Sequence, residues 1–335
     1  MGEPVARPQP LVSVLIPVYN RVDLVSRALE SALAQTWEPL EVVVGDNHSD
    51  DGTYDVVRSF ACSDPRVRCF RNDENLGPIA NWARCLETAR GGYVKFVFSD
   101  DWLDPRAVGA LMAPLLADSQ VRASYCAAAI HYPDYARMVY LTAPAPRLHL
   151  REMLAGAILA ETCPVSPGCG LFLRDDVRTA LSWVPSTERG RQAWRRGFGP
   201  DLLMYLVAAA RGPVAPVSQV LAHFLSHAGS LSESDAHDDI VWGYLAPVVD
   251  LPTFLGLPLP QVREVEGVLT AAALVRSLRR PGLAGRLLSW RTGAVLQGRP
   301  VGRSLPEAAR FLAEWYRVTY GGGALRRKLE RRLIG

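Results

Sequence analysis

The stretch Tyr93-Val94-Lys95-Phe96-Val97-Phe98-Ser99-Asp100-Asp101 decides the fold. Its first six residues read as a strongly apolar strand that runs straight into two adjacent carboxylates. Acids held side by side at a strand end repel each other unless a cation sits between them. In an open parallel sheet ligands bind at the C-terminal ends of the strands, which is where such a pair has a use. The flanking sequence agrees. Residues 11–19 (LVSVLIPVY) read as a buried strand, 23–35 place Leu24, Ala28, Leu29, Ala32 and Leu33 at helical spacing, and 40–44 form a second strand. A polar turn over 45–52, a helix over 53–61, a short strand over 67–70 and a helix from Pro78 to Arg90, ended by Gly91-Gly92, follow. Pro105 then opens a helix to about Leu116. This is the alternation of βαβ units around a largely parallel sheet.

Further on, residues 124–132 and 171–173 read as strands, Pro and Gly cluster in a loop over 163–170, 201–210 is a helix and 216–224 an edge strand. Beyond about residue 235 the pattern is helical. The expected organisation is an α/β domain over 1–230 and a mainly helical, basic region over 231–335, without internal repeats.

At 335 residues, 49% hydrophobic and 21% charged, the chain can bury a sizeable core, which excludes disorder, repeat arrays and disulfide miniproteins. The net charge of +3 conceals a division. Residues 1–260 carry 22 Lys and Arg against 29 Asp and Glu, a balance of −7, whereas 261–335 carry 15 against 5, a balance of +10. The basic end offers a contact to an anionic membrane surface or another polyanion; a solvated helical face is the other reading of the same charges. No nucleic-acid partner is expected. The six cysteines show no C-x-x-C pair and no His at zinc spacing, so they are expected to be mostly buried, small apolar residues in a reducing compartment. Met1 to Pro10 lacks the apolar segment of a secretory signal and no run approaches a membrane span, so the expected location is cytoplasmic.

Polar residues collect at the strand ends: Pro17, Tyr19 and Asn20 after the first strand, Asp46 after the second, Asp100 and Asp101 after the fourth. Neither G-x-x-x-x-G-K-[ST] nor G-x-G-x-x-G follows the first strand, so this is not a P-loop or a dinucleotide fingerprint. An acidic crevice accepts phosphate only with a divalent cation, and carboxylates suit Mg2+ or Mn2+, which keep coordination sites for substrate phosphates. The implied ligand is a metal-bridged diphosphate.

VSVLIPVYNR at 12–21, VVVGDNHSDDGT at 42–53, NLGPIANW at 75–82 and FSDDWLDP at 98–105 resemble the family 2 glycosyltransferases of GT-A fold, a Rossmann-like, mostly parallel sheet flanked by helices. The resemblance covers about residues 11–230 and implies an inverting glycosyltransferase. It would use Mn2+ or Mg2+ to move a sugar from a nucleotide-diphosphate donor, UDP-linked by family bias, to an acceptor hydroxyl on a glycan, a lipid-linked sugar or a small natural product. It places Pro17, Tyr19 and Asn20 in the nucleotide-binding first loop and Asp46 on the base, with Gly45 where many members have a further acid. The family's D-x-D reads Ser99-Asp100-Asp101, leaving Asp101 as the metal ligand and Asp100 as the sugar or ribose contact. Asp201 takes the place of the general base. His223-Phe224-Leu225-Ser226-His227 resembles the segment near the diphosphate, with His227 the better match and a candidate for metal or phosphate.

Each of these residues also has a structural reading. Asp46, Asp100-Asp101 and Asp201 are all suited to helix caps or turns, His227 to an exposed loop, and Tyr19 to the end of a strand. Trp82, on a helix of apolar period, is expected in the core, and Trp102 either there or in the donor pocket. Two rival functions stand beside transfer: a non-catalytic nucleotide-sugar-binding protein, for which Ser99 and Gly45 speak, and a sugar-nucleotide pyrophosphorylase, whose Gly-rich basic first loop this chain lacks.

Overall fold

Seven consecutive buried residues, Val12–Val18, form the central strand β1. A strand covered by helices on both faces takes mostly apolar side chains, which is why it reads as a nearly continuous run; its one polar side chain, Ser13, donates to Glu41 at 2.6 Å. The structure is a computed structural model that describes residues 9–141, 143, 145–160, 162–227 and 237–279. β1 is followed by α1 (Val25–Leu33), β2 (Leu40–Asp46), α2 (Thr53–Ser63), β3 (Val67–Arg71), α3 (Pro78–Thr88), β4 (Tyr93–Phe96), β5 (Trp102–Leu103) and α4 (Ala107–Ala117). Then come β6 (Ala123–His131), β7 (Ala136–Val139), α5 (Leu150–Ala155), β8 (Gly170–Leu173), α6 (Arg174–Leu181), α7 (Glu188–Arg195), α8 (Pro200–Arg211), β9 (Val214–Leu225), α9 (His237–Leu255) and α10 (Leu259–Arg279).

Among the described residues the strands make one nine-stranded sheet in the order β3-β2-β1-β4-β8-β6-β9-β5, with β7 attached to β6. β1 to β4 are mutually parallel, β8 runs antiparallel between β4 and β6, and β9 is parallel to β6. The α/β class and the mostly parallel sheet are those expected from the sequence. α1 buries Val25, Ala28, Leu29 and Ala32 against the sheet, close to the expected stripe. Trp82 lies in the core, its ring 5.7 Å from that of Phe96 and 5.3 Å from that of Phe98.

Several expected boundaries move. The second strand runs on to Asp46 instead of stopping at Val44, so Asp46 is a strand residue rather than part of the turn. The fourth strand ends at Phe96, and β5 takes up pairing beyond the acid turn. The helix after Pro105 starts at Ala107, because Asp104 accepts the backbone N–H of Arg106 at 2.9 Å and forms the turn ahead of it. The strand expected at the edge over 216–224 covers Val214–Leu225 and is not an edge: β6 pairs along it, and β5 lies on its other side at Ala222 and His223. The basic stretch Arg326–Ile334 lies outside the described residues. Four of the six cysteines are buried and all six are free thiols. No helix among the described residues is long and apolar enough to cross a membrane.

Candidate active site

Pro17 sits inside β1, buried, opposite Gly45 of β2. Pairing of β1 with β4 ends at Leu15, so the N–H that proline lacks falls past the last ladder contact on that side. The chain then turns through Tyr19, 43% exposed, and Asn20, at φ 51°. Asn20 is latched to the loop after β2: its N–H donates to Ser49 Oγ at 2.9 Å and its Nδ2 to Asp50 Oδ1 at 2.9 Å. Arg21 and Val22 bond in the same way to Thr53 and Asp51. The first two strand ends thereby act as one unit.

Asp46, the last residue of β2, is fully buried. Its Oδ2 accepts the Ser49 N–H at 3.1 Å and lies 3.4 Å from Arg71 Nε at the end of β3. Its Oδ1 is buried without a hydrogen-bond partner. An orphaned buried acceptor is costly and marks a place for a donor from a ligand. The preceding position has no space for a side chain: a Cβ on Gly45 would stand 2.5 Å from Cys85 Sγ and 2.6 Å from the Phe70 ring. Position 45 therefore faces the packing beneath α3 and not the crevice. The NLGPIANW segment is bound here too. Asn81 donates to Gly45 O at 2.8 Å, Asn72 to Asn47 at 2.8 Å, and the Leu76 N–H to Asn47 at 3.0 Å.

Between β4 and β5 the Asp101 N–H bonds back to Phe98 O at 3.0 Å, a tight turn that presents both acids. Asp101 is 9% exposed, and its Oδ1 accepts the Leu225 N–H at 3.1 Å from the end of β9. Burial, and then the charge of Asp100, push its carboxyl well above the ordinary range. Asp100 pairs through Oδ2 with His227 Nε2 at 3.0 Å. Its carbonyl accepts Arg27 from α1 at 2.9 Å. His227 is therefore placed on the sugar-contact candidate. His223 lies elsewhere, stacked on Trp102 at 5.2 Å and bonded to His131 at 3.1 Å; burial and then His131 lower its pKa.

Two cations flank the acids, and the motifs did not single out either. The Arg27 guanidinium lies 3.8 Å over the Trp102 ring, near Asp100 and Asp101, where burial lowers its pKa against the pull of both carboxylates. Lys95, fully buried in β4, donates to Phe96 O at 3.0 Å and to Gly168 O. An apolar strand interrupted by its single Lys was the available signal for Lys95; nothing in the helix pattern marked Arg27.

Among the described residues no three His, Cys, Asp or Glu side chains form a metal-binding group. The donors at the acid turn are carboxylate oxygens, and the single backbone bond to Asp101 leaves lone-pair capacity on it. Such a set suits a hard divalent cation that takes its remaining ligands from water and substrate phosphate.

Asp201 lies in the first turn of α8, where negative charge suits the helix dipole. Its Oδ1 accepts the N–H groups of Gly199 at 3.1 Å and Leu202 at 2.9 Å; the N-cap of α8 is Gly199, so Asp201 is not the capping residue that the sequence also allowed. Its Oδ2 accepts the Tyr244 hydroxyl of α9 at 2.7 Å. Burial outweighs these bonds and raises the carboxyl to about 6. One turn along α8, Tyr205 donates to Ser166 O at 3.0 Å, two residues before the Gly168 carbonyl that accepts Lys95.

The fold is of GT-A type: S. aureus TarS residues 1-349, solved with UDP-GlcNAc, superposes with a TM-score of 0.60 at 17% identity over 92% of this chain and 81% of that one. Residues 13–178 match the model of glycosyl transferase family 2, and the chain carries a family 2 glycosyltransferase domain. The E. coli UDP-Glc:alpha-D-GlcNAc-diphosphoundecaprenol beta-1,3-glucosyltransferase WfaP is 35% identical over 92 residues, 28% of this chain and 36% of that protein. The Campylobacter jejuni GalNAc(5)-diNAcBac-PP-undecaprenol beta-1,3-glucosyltransferase is 36% identical over 104 residues, 31% and 34%. The Pasteurella multocida chondroitin synthase is 34% identical over 116 residues, 35% and 12%. The chain spans about a third or less of the length of these curated relatives.

Proposed function

We propose that the protein is a metal-assisted, inverting glycosyltransferase that moves a sugar from a UDP-linked donor to an acceptor hydroxyl. The observation that carries this reading is the rim of acids: Asp46 at the end of β2, and Asp100 and Asp101 just past β4, on strands flanking β1. The orphaned Oδ1 of Asp46 accepts an N–H of the nucleotide base, and the exposed Tyr19 ring flanks it. Pro17 and Asn20 shape the loop between them. Asp101, with Asp100 beside it, would hold Mg2+ or Mn2+; when bound, the cation supplies positive charge against the departing diphosphate. His227, through Asp100, stands beside that site.

Asp201 is the general base. A base works best with a pKa near the working pH, and about 6 suits this role. It takes the proton of the acceptor hydroxyl as that oxygen bonds to the anomeric carbon from the face opposite the diphosphate. The carbon–oxygen bond to the diphosphate breaks through an oxocarbenium-like state, and the configuration inverts. Relatives named for undecaprenol-linked sugars support a lipid-linked acceptor over a glycan or a small natural product. The basic C-terminal region would meet an anionic membrane surface on the cytoplasmic side.

The test is UDP release from UDP-glucose and UDP-GlcNAc with and without Mn2+. Release by the wild type that is lost in both Asp101→Ala and Asp201→Asn supports the reading, and equal release by the variants overturns it. Ser99, standing where an acid is usual, favours the second reading of a non-catalytic nucleotide-sugar-binding protein; donor binding without release would establish that one.

A further inference from the structure

The helix α9 lies beyond the residues matched to the family, yet it makes close contact with the candidate base. Gly199 stands at φ +110°, and a Cβ there would overlap the Gly243 carbonyl oxygen; a Cβ on Gly243 would in turn overlap Phe198. Two glycines that face each other let the α9 backbone rest directly on the 197–200 turn. Tyr244 follows Gly243, so this backbone contact sets the position of its hydroxyl 2.7 Å from Asp201 Oδ2. A second tether holds the same helix: Asp250 accepts the Ser186 hydroxyl at 2.6 Å and the Ser186 N–H at 2.8 Å.

We propose that Tyr244 is a positioning residue for the Asp201 carboxylate, which makes α9 part of the catalytic apparatus rather than an appendage. The inference rests on Asp201 being the base. The two N–H bonds fix Oδ1 to the start of α8, and Tyr244 fixes Oδ2, so the plane of the carboxylate is determined. Tyr244 occupies one lone pair of Oδ2 and leaves the other to take a proton. The ionisable group that faces Asp201 among the described residues is Tyr244 itself, with Tyr140 behind it, and burial raises the Tyr244 hydroxyl well above its ordinary value. Tyr244 therefore stays protonated and donating across the working pH range. Its hydrogen bond lowers the Asp201 pKa against the opposing effect of burial.

The experiment uses the full chain with 13C-labelled Asp carboxyls, the Asp201 resonance being identified by its loss in Asp201→Asn. The wild-type resonance titrates at about 6. In Tyr244→Phe the midpoint rises by about one to two pH units, the equivalent of one hydrogen bond to a charged group. UDP release from UDP-glucose with Mn2+ shows the acid limb of kcat moving up with it. The loss is about two- to tenfold at pH 7, as the ionised fraction of the base falls, release recovers in alkali, and KM for UDP-glucose is unchanged. Tyr244→Phe in the Asp201→Asn background causes no further loss. An unmoved midpoint, or a uniform loss at every pH with a lowered Tm, overturns the proposal. If Asp201→Asn itself releases UDP normally, the base reading falls; if Asp201→Asn is inactive and the Tyr244→Phe midpoint is unmoved, the positioning role alone falls.

Discussion

Replacing Asp201 with Asn should make the protein more stable at alkaline pH while it removes activity. The carboxyl ionises at an ordinary 3.8 in the unfolded chain and at about 6 in the fold, with 9% of the residue exposed. The folded pKa of this acid is raised, so its charged form is disfavoured in the fold. No penalty exists below about pH 4; it grows as pH rises and levels off above the folded pKa. A rise from 3.8 to about 6 corresponds to about 3 kcal/mol at full ionisation. Asn is isosteric and keeps Oδ1 on the Gly199 and Leu202 N–H groups, but its amide nitrogen turns the Tyr244 hydroxyl from donor to acceptor. That exchange costs about 1 kcal/mol, so the net gain is about 1 to 2 kcal/mol at high pH. Thermal melts at pH 5 and pH 8 read it, because on the order of 1 kcal/mol of the gap opens over that interval, a change of a few degrees in Tm. A gap between variant and wild type that stays constant or narrows as pH rises would refute the assignment of a raised pKa to Asp201.

Asp101→Ala should abolish Mn2+-dependent binding of UDP, read by calorimetry with and without EDTA, and leave Tm unchanged or raised, since it removes a carboxyl that burial disfavours. Gly45→Ala should destabilise by about 1 to 3 kcal/mol in urea, because the new Cβ meets Cys85 and Phe70; a neutral effect would mean that α3 yields freely. Asp176→Ala should cost about 3 kcal/mol. Asp176 is fully buried and bonds Arg122 at 2.8 Å and Arg211 at 2.7 Å, and its loss leaves two cations facing each other, measurable as a lower urea midpoint.

The mainly apolar runs at 12–18, 93–96 and 123–131 were legible because a strand buried on both faces is apolar at most positions, and the acids were legible because they end such runs. Pairing was not legible. The stretch 216–224 has the length and composition of an edge strand, and only tertiary packing brings β5 against its far side at Ala222 and His223. Gly45 reads as a missing acid in a linear motif, whereas its packing leaves no space for one. His227 reads as a metal or phosphate ligand, and the fold pairs it with Asp100.

The sequence by itself determined the α/β class and the rim of acids at Asp46, Asp100 and Asp101, because local periodicity and the chemistry of strand ends are written in neighbouring residues; Asp201 entered as a candidate base only through the resemblance to a family. Tertiary structure alone decided the company those acids keep. Arg27 comes to the acid turn from α1, Lys95 is held across the sheet by the Gly168 carbonyl, and Tyr244 reaches Asp201 from α9, 43 residues along the chain. Contacts between residues so far apart in sequence leave no periodic trace, since each depends on how helices and strands pack and not on how either one forms.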